Sequence, residues 1–168
     1  AAHDIGVGDR HAIWFFQMLA GGLNIIDFYE ASGVGLEHYA QTLRSKGYRL
    51  GPCLVPHDAK VKEWGSGRTR IEQMEALGLE ARLVPDHRLM DGIGAARETL
   101  VRCRFDGRKC AEGIEALKQY RTEFDEKAKV FRTTPKHDWT SHCADAFRYM
   151  AMAWRVLRPE YVKPKPTN

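Results

Sequence analysis

The chain contains no apolar run approaching the ~18 residues that a helical membrane span needs, so no membrane passage is expected from it. Residues 1–20 lack the basic stretch, apolar centre and small-residue cleavage site of a secretory signal. They open directly in strand-like sequence, as expected of a piece cut from something longer. Cysteine is sparse and unpatterned. Cys53, Cys103, Cys110 and Cys143 form neither a CxxC pair nor the dense framework of a small secreted domain, which points to free thiols in a reducing cytoplasm. The glycine-rich stretch Gly65–Thr69 lacks the Lys-Ser/Thr ending of a P-loop, which excludes an ATPase motor within these residues. No nucleophile is paired with a base, since Ser141 and His142 are merely adjacent in sequence and the cysteines have no evident partner. Nor is there a strong excess of one charge. A net +4 is compatible with a polyanionic partner and equally with none, so charge alone decides nothing.

At 168 residues the chain fits one domain with a real core. Ala2–Val7, His11–Leu19 and Asn24–Glu30 are short, rich in aromatic and branched residues, and separated by turn signals that include Ala20-Gly21-Gly22. They predict a three-stranded antiparallel meander. Leu36, Tyr39, Ala40 and Leu43 repeat at helical spacing before Gly47. Gly51–Pro56 then resembles a buried strand, Arg70–Leu77 a helix stopped by Gly78, and Glu80–Val84 a fifth strand. Further helices are expected over Leu89–Cys103, Cys110–Phe124 and Ser141–Leu157, the last with Ala144, Phe147, Met150, Ala151 and Trp154 on one face. The fold class is therefore α/β, a central mixed five-stranded sheet covered by helices. Residues 1–158 form the domain, and 159–168, containing VKPKPTN, form a flexible tail.

Four acidic positions stand out: Asp4 in HDIGVGD, Asp27 in NIIDFYE, Asp58 in CLVPHD and Asp145 in SHCADAFRYM. Asp58 ends a buried strand, where open α/β sheets build their sites, and no helix pattern starts directly after it. His57 beside it is expected to point away. His142 and Asp145 lie three apart, on one helical face, with Ser141 as a candidate N-cap; a buried His–Asp bond and a shared metal are both open readings. Asp4 suits a turn or a cation equally. Asp9 is a turn residue with marginal reach to a metal, and Asp27 is expected at the surface or beside a basic neighbour. Carboxylates with one imidazole suit Mg²⁺ or Mn²⁺ better than zinc. Two such ions held by Asp4, Asp58 and Asp145 could drive in-line attack on a phosphodiester. Lys60, Lys62, Arg68 and Arg70 follow Asp58 around Gly65-Ser66-Gly67, which predicts a mobile basic loop or hairpin beside the site.

The succession HDIGVGDRHAIWFFQ, IIDFYEASGVGLEHYAQTL, PHDAKVKEWGSGRTRIEQMEALG and SHCADAFRYMA resembles the nuclease domain of bacteriophage large terminase subunits across nearly the whole chain. The resemblance implies a ribonuclease H-like fold with Asp4, Asp58 and Asp145 as catalytic metal ligands and His142 as an additional one. It also implies cleavage of double-stranded concatemeric viral DNA during packaging, in the cytoplasm of the infected bacterial host. Expected partners are DNA, an N-terminal packaging ATPase domain, the portal and the small terminase subunit. The missing P-loop agrees with an excised C-terminal domain. Competing readings are a junction resolvase or transposase-like nuclease of the same fold, or a DNA-binding or docking module whose acidic residues are structural.

Overall fold

A computed structural model describes residues 1–6, 10–19 and 21–157. The meander is present as β1 (Ala2–Asp4), β2 (Arg10–Leu19) and β3 (Gly22–Ser32), paired antiparallel in sequence order. Helix α1 (Leu36–Ser45) crosses over to β4 (Cys53–Val55), which lies parallel to β1. After a 3-10 turn at His57–Lys60, α2 (Arg70–Ala76) leads to β5 (Ala81–Leu83), parallel to β4. Thr69 begins α2 with a capping box, its hydroxyl accepting from the Glu72 amide while the Glu72 carboxylate accepts from the Thr69 amide.

Three elements depart from expectation. The helix expected over Leu89–Cys103 stops earlier, as α3 (Leu89–Leu100), and Cys103–Phe105 becomes β6, a strand parallel to β3. The sheet therefore has six strands rather than five, in the order β5-β4-β1-β2-β3-β6. Gly22 permits this edge, since a Cβ there would stand 2.2 Å from the Arg102 carbonyl oxygen. Likewise α4 (Ala111–Gln119) ends short of Phe124, and Thr122–Asp125 (β7) pairs with Val130–Pro135 (β8) as a separate exposed hairpin. The long final helix is α5 (Ser141–Leu157). Its start is set by Thr140, whose carbonyl accepts the Ala144 amide, so Ser141 lies inside the first turn and is not the N-cap. The Ser141 hydroxyl instead accepts from the Asp138 amide and closes the preceding turn.

Strand β2 is buried on both faces, which explains its near-continuous apolar run. Ala12 and Trp14 join Phe147, Met150 and Trp154 of α5 in one core; Ile13 and Phe15 join Tyr39, Leu43 and Met74 in the other. Trp14 fixes α5 on the sheet, since its indole N–H donates to the Cys143 carbonyl at 2.9 Å. That bond and the surrounding apolar contacts carry α5 across β2 and β1 at the end of the sheet where Asp4 emerges.

Candidate active site

Because β1 and β4 run parallel and adjacent, the C-terminal ends of both open toward the same edge. Asp4 is the last residue of β1, and Asp58 follows β4 within the 3-10 turn. The apolar pattern carries no sign of that turn, in which the Asp58 carbonyl accepts the Val61 amide and the carboxylate is left exposed. On the facing helix, His142 Nδ1 stands 2.8 Å from Asp4 Oδ2. With the ring donating there, His142 fixes one carboxylate oxygen of Asp4. One turn on, Asp145 is three-quarters buried and its Oδ1 lies 3.0 Å from Arg148 Nη2.

Burial, reinforced by the charge of Asp4, pushes the Asp145 carboxyl up to about 6, against the opposing pull of Arg148, His142 and His137. Tyr149, beside Arg148, feels all three carboxylates. Its phenol is raised far above the ordinary value, chiefly by burial and next by the charges of Asp4, Asp145 and Asp58. Asp58, Asp86, His87, Arg148 and Tyr149 line a cavity of about 220 Å³. Asp145 and Arg148 also line a second, mainly apolar cavity of about 190 Å³ between α3, α4, α5 and the β7–β8 hairpin.

Asp4, Asp58, Asp145 and His142 thus occupy one end of the sheet, with Asp4 and His142 in direct contact. Asp9 lies outside the described residues. His57 is exposed beside Asp58 and lines the same cavity rather than being turned into the core. Asp27, expected at the surface, is buried. It accepts from Lys46 Nζ at 2.7 Å, the Tyr48 hydroxyl at 3.1 Å and the Phe28 amide at 2.8 Å, so the expected basic neighbour is present although the exposure is not. It belongs to no carboxylate cluster among the described residues.

The basic segment after Asp58 is tied down. Lys62 and Thr69 form an antiparallel bridge, and the Glu63 amide donates to the Arg68 carbonyl above it. Arg70 donates from Nε to Glu63 at 3.2 Å and from Nη1 to the Ile5 carbonyl at 2.9 Å. This guanidinium anchors the loop to the end of β1. Lys60, Lys62 and Arg68 remain exposed, with Trp64 fully exposed at the tip. Sequence spacing did not single out Arg148 or Tyr149; their only signal was nearness to Asp145.

The donor set suits a hard divalent cation, and Arg148 already places a positive charge on Asp145. The spacing does not yet suit one. Among the described residues, no three His, Cys, Asp or Glu side chains stand close enough together to hold a metal ion.

No family model matches the chain, and no curated protein sequence matches it. Solved structures do. The large terminase of a thermophilic bacteriophage superposes over 94% of this chain with a TM-score of 0.66 and 17% identity. The chain spans 39% of that protein's length. The nuclease domain of the bacteriophage SPP1 large terminase, solved with bound manganese, matches 92% of this chain and 84% of its own, at TM-score 0.65 and 14% identity. The large terminase nuclease of a thermophilic phage named G20c matches 94% and 81%, at TM-score 0.57 and 13% identity. The six-stranded mixed sheet with its helices is thus the ribonuclease H-like fold of large terminase nuclease domains.

Proposed function

We propose, on the premise of a fold shared with phage large-terminase nuclease domains, that this chain is a metal-dependent endonuclease. Its substrate is the double-stranded concatemeric DNA of a phage, cut in the host cytoplasm during genome packaging. The observation that carries the reading is the contact of Asp4 with His142, which joins the end of β1 to α5 one turn before Asp145.

The roles of the residues follow from their surroundings. Asp4, with one oxygen held by His142, keeps the other for a cation. Asp145 offers a carboxylate whose burial strengthens its interaction with any charge it meets. Asp58, exposed on its short turn, faces the incoming substrate. Two Mg²⁺ or Mn²⁺ ions, when bound, would supply water activation and relief of charge on the leaving oxygen. The side chains of this chain orient and anchor. Lys60, Lys62 and Arg68 contact DNA phosphates along the tethered loop, while Arg70 sets the loop's position. In the whole protein, an N-terminal packaging ATPase domain, the portal and the small terminase subunit would be its partners.

Plasmid cleavage with Mg²⁺, Mn²⁺ or EDTA tests this. The parent chain should cut in either metal and stop in EDTA. Asp4→Ala, Asp58→Ala and Asp145→Ala should each lose cutting by at least ~100-fold while retaining DNA binding. Cleavage that persists in EDTA, or in all three variants, rejects the reading.

A further inference from the structure

Arg148 reaches Asp145 and also lines the cavity that holds Asp58. It stands three residues after Asp145 on α5, with Nη2 at 3.0 Å from Asp145 Oδ1 and 3.3 Å from the Tyr149 hydroxyl. The guanidinium carbon is 5.0 Å from the centre of the Tyr149 ring. Only 12% of the side chain is exposed, and its Nε–H is buried without an acceptor. Both cavities at the site include Arg148 in their walls, the one holding Asp58 and the one holding Asp145. Arg148 is thus common to the linings of both.

A notch in α3 receives the stem. A Cβ on Gly92 would lie 2.5 Å from Arg148 Cδ, 2.6 Å from its Cγ and 2.7 Å from the His87 ring. Contacts this close leave room for glycine alone. The pairing of a buried carboxylate with a guanidinium also has an electrostatic consequence, because a second cation brought to Asp145 would meet a like charge at short range in a site of low dielectric.

We propose that Arg148 is the resident cation of this carboxylate site, neutralising Asp145 until a divalent ion displaces it. Once the guanidinium withdraws, the Asp145 carboxylate is released from its ion pair. The Asp58 cavity, whose lining includes the exposed Asp86, can take up the displaced charge. This rests on the reading that Asp4, Asp58 and Asp145 bind metal, and it adds a competitor to them.

The test is calorimetric Mn²⁺ binding together with thermal melting, with and without Mn²⁺, on the parent, Arg148→Gln, Arg148→Lys and Gly92→Ala. Removing the charge should raise Mn²⁺ affinity by about tenfold or more. It should also lower the metal-free melting temperature, because Asp145 is left buried and unpaired. Arg148→Lys should bind Mn²⁺ as the parent does. Gly92→Ala keeps every charge but fills the notch, so it should expel the stem and move affinity toward that of Arg148→Gln. Should Arg148→Gln not fold, Gly92→Ala decides. Equal or weaker Mn²⁺ binding by folded Arg148→Gln and Gly92→Ala overturns the proposal and leaves the nuclease reading intact. Failure of the parent and all variants to bind Mn²⁺ overturns both.

Discussion

His142 is where one side chain bears most directly on the proposed chemistry. Its ring is the link between β1 and α5, and it fixes the Asp4 carboxylate without covering it. His142→Ala should leave the fold in place, since the helix is held independently by Trp14, Phe147 and Met150, yet reduce cleavage by ~10- to 100-fold. His142→Asn, which retains a donor, should recover part of the loss. Plasmid cleavage and circular dichroism measured side by side check this; full activity in His142→Ala would remove the residue from the site. At this scale the sequence was partly legible. The three-residue spacing of His142 and Asp145 put both on one helical face, because spacing reports helical phase. It could not reveal that Asp27 is enclosed by Lys46 and Tyr48 or that Arg70 is spent on Glu63 and Ile5, since those partners lie up to 65 residues away.

At the scale of elements, the loop between the Asp58 turn and α2 is a short clamp rather than a free strand. Its exposed cations, Lys60, Lys62 and Arg68, stand on a base pinned by the Lys62–Thr69 bridge and by Arg70. Cations held in this way should act as phosphate contacts, each removing about one unit from the slope of log affinity against log salt. Replacing Lys60, Lys62 and Arg68 by alanine should therefore flatten that slope by roughly three units. DNA binding measured across a salt series checks it, and an unchanged slope would move the DNA path elsewhere. Arg70→Ala should act differently, impairing cleavage through loss of the loop's anchor. Unaltered affinity and cleavage after changing both Arg68 and Arg70 would exclude the loop from DNA handling. Elements whose apolar residues repeat regularly were legible beforehand, as the meander and α1, α2 and α5 show. The β7–β8 hairpin was not, because β8 is almost wholly exposed and leaves no alternation to detect. Strand β6 is three residues long and defined by a partner some 80 positions earlier, which no local pattern records.

For the molecule as a whole, the pH response should be governed by a buried histidine pair beneath the site. His3 Nδ1 and His11 Nε2 are 3.0 Å apart, and His11 stacks on Tyr39 with ring centres 4.0 Å apart. Burial, with nearby positive groups, holds His3 well below its usual value and His11 at about 3. Both bind protons more readily in the unfolded chain, so stability is complete above the unfolded value near 6.5 and is lost as pH falls from there toward 3. Each contributes a slope of about 1.4 kcal/mol per pH unit in that window. Denaturant midpoints compared at about pH 8 and about pH 4.5 should fall on the acid side, and His11→Gln should reduce the slope. A flat profile for the parent would contradict the pair's buried, neutral state.

The crossing of α5 over β1 joins residues 138 positions apart in the chain. A nascent polypeptide has already made Asp4 and Asp58 long before Asp145 leaves the ribosome, and during that interval the proposed site is unassembled. Under the proposed nuclease reading, catalytic competence would then coincide with docking of the last helix, and prematurely terminated products lacking it would cut no DNA.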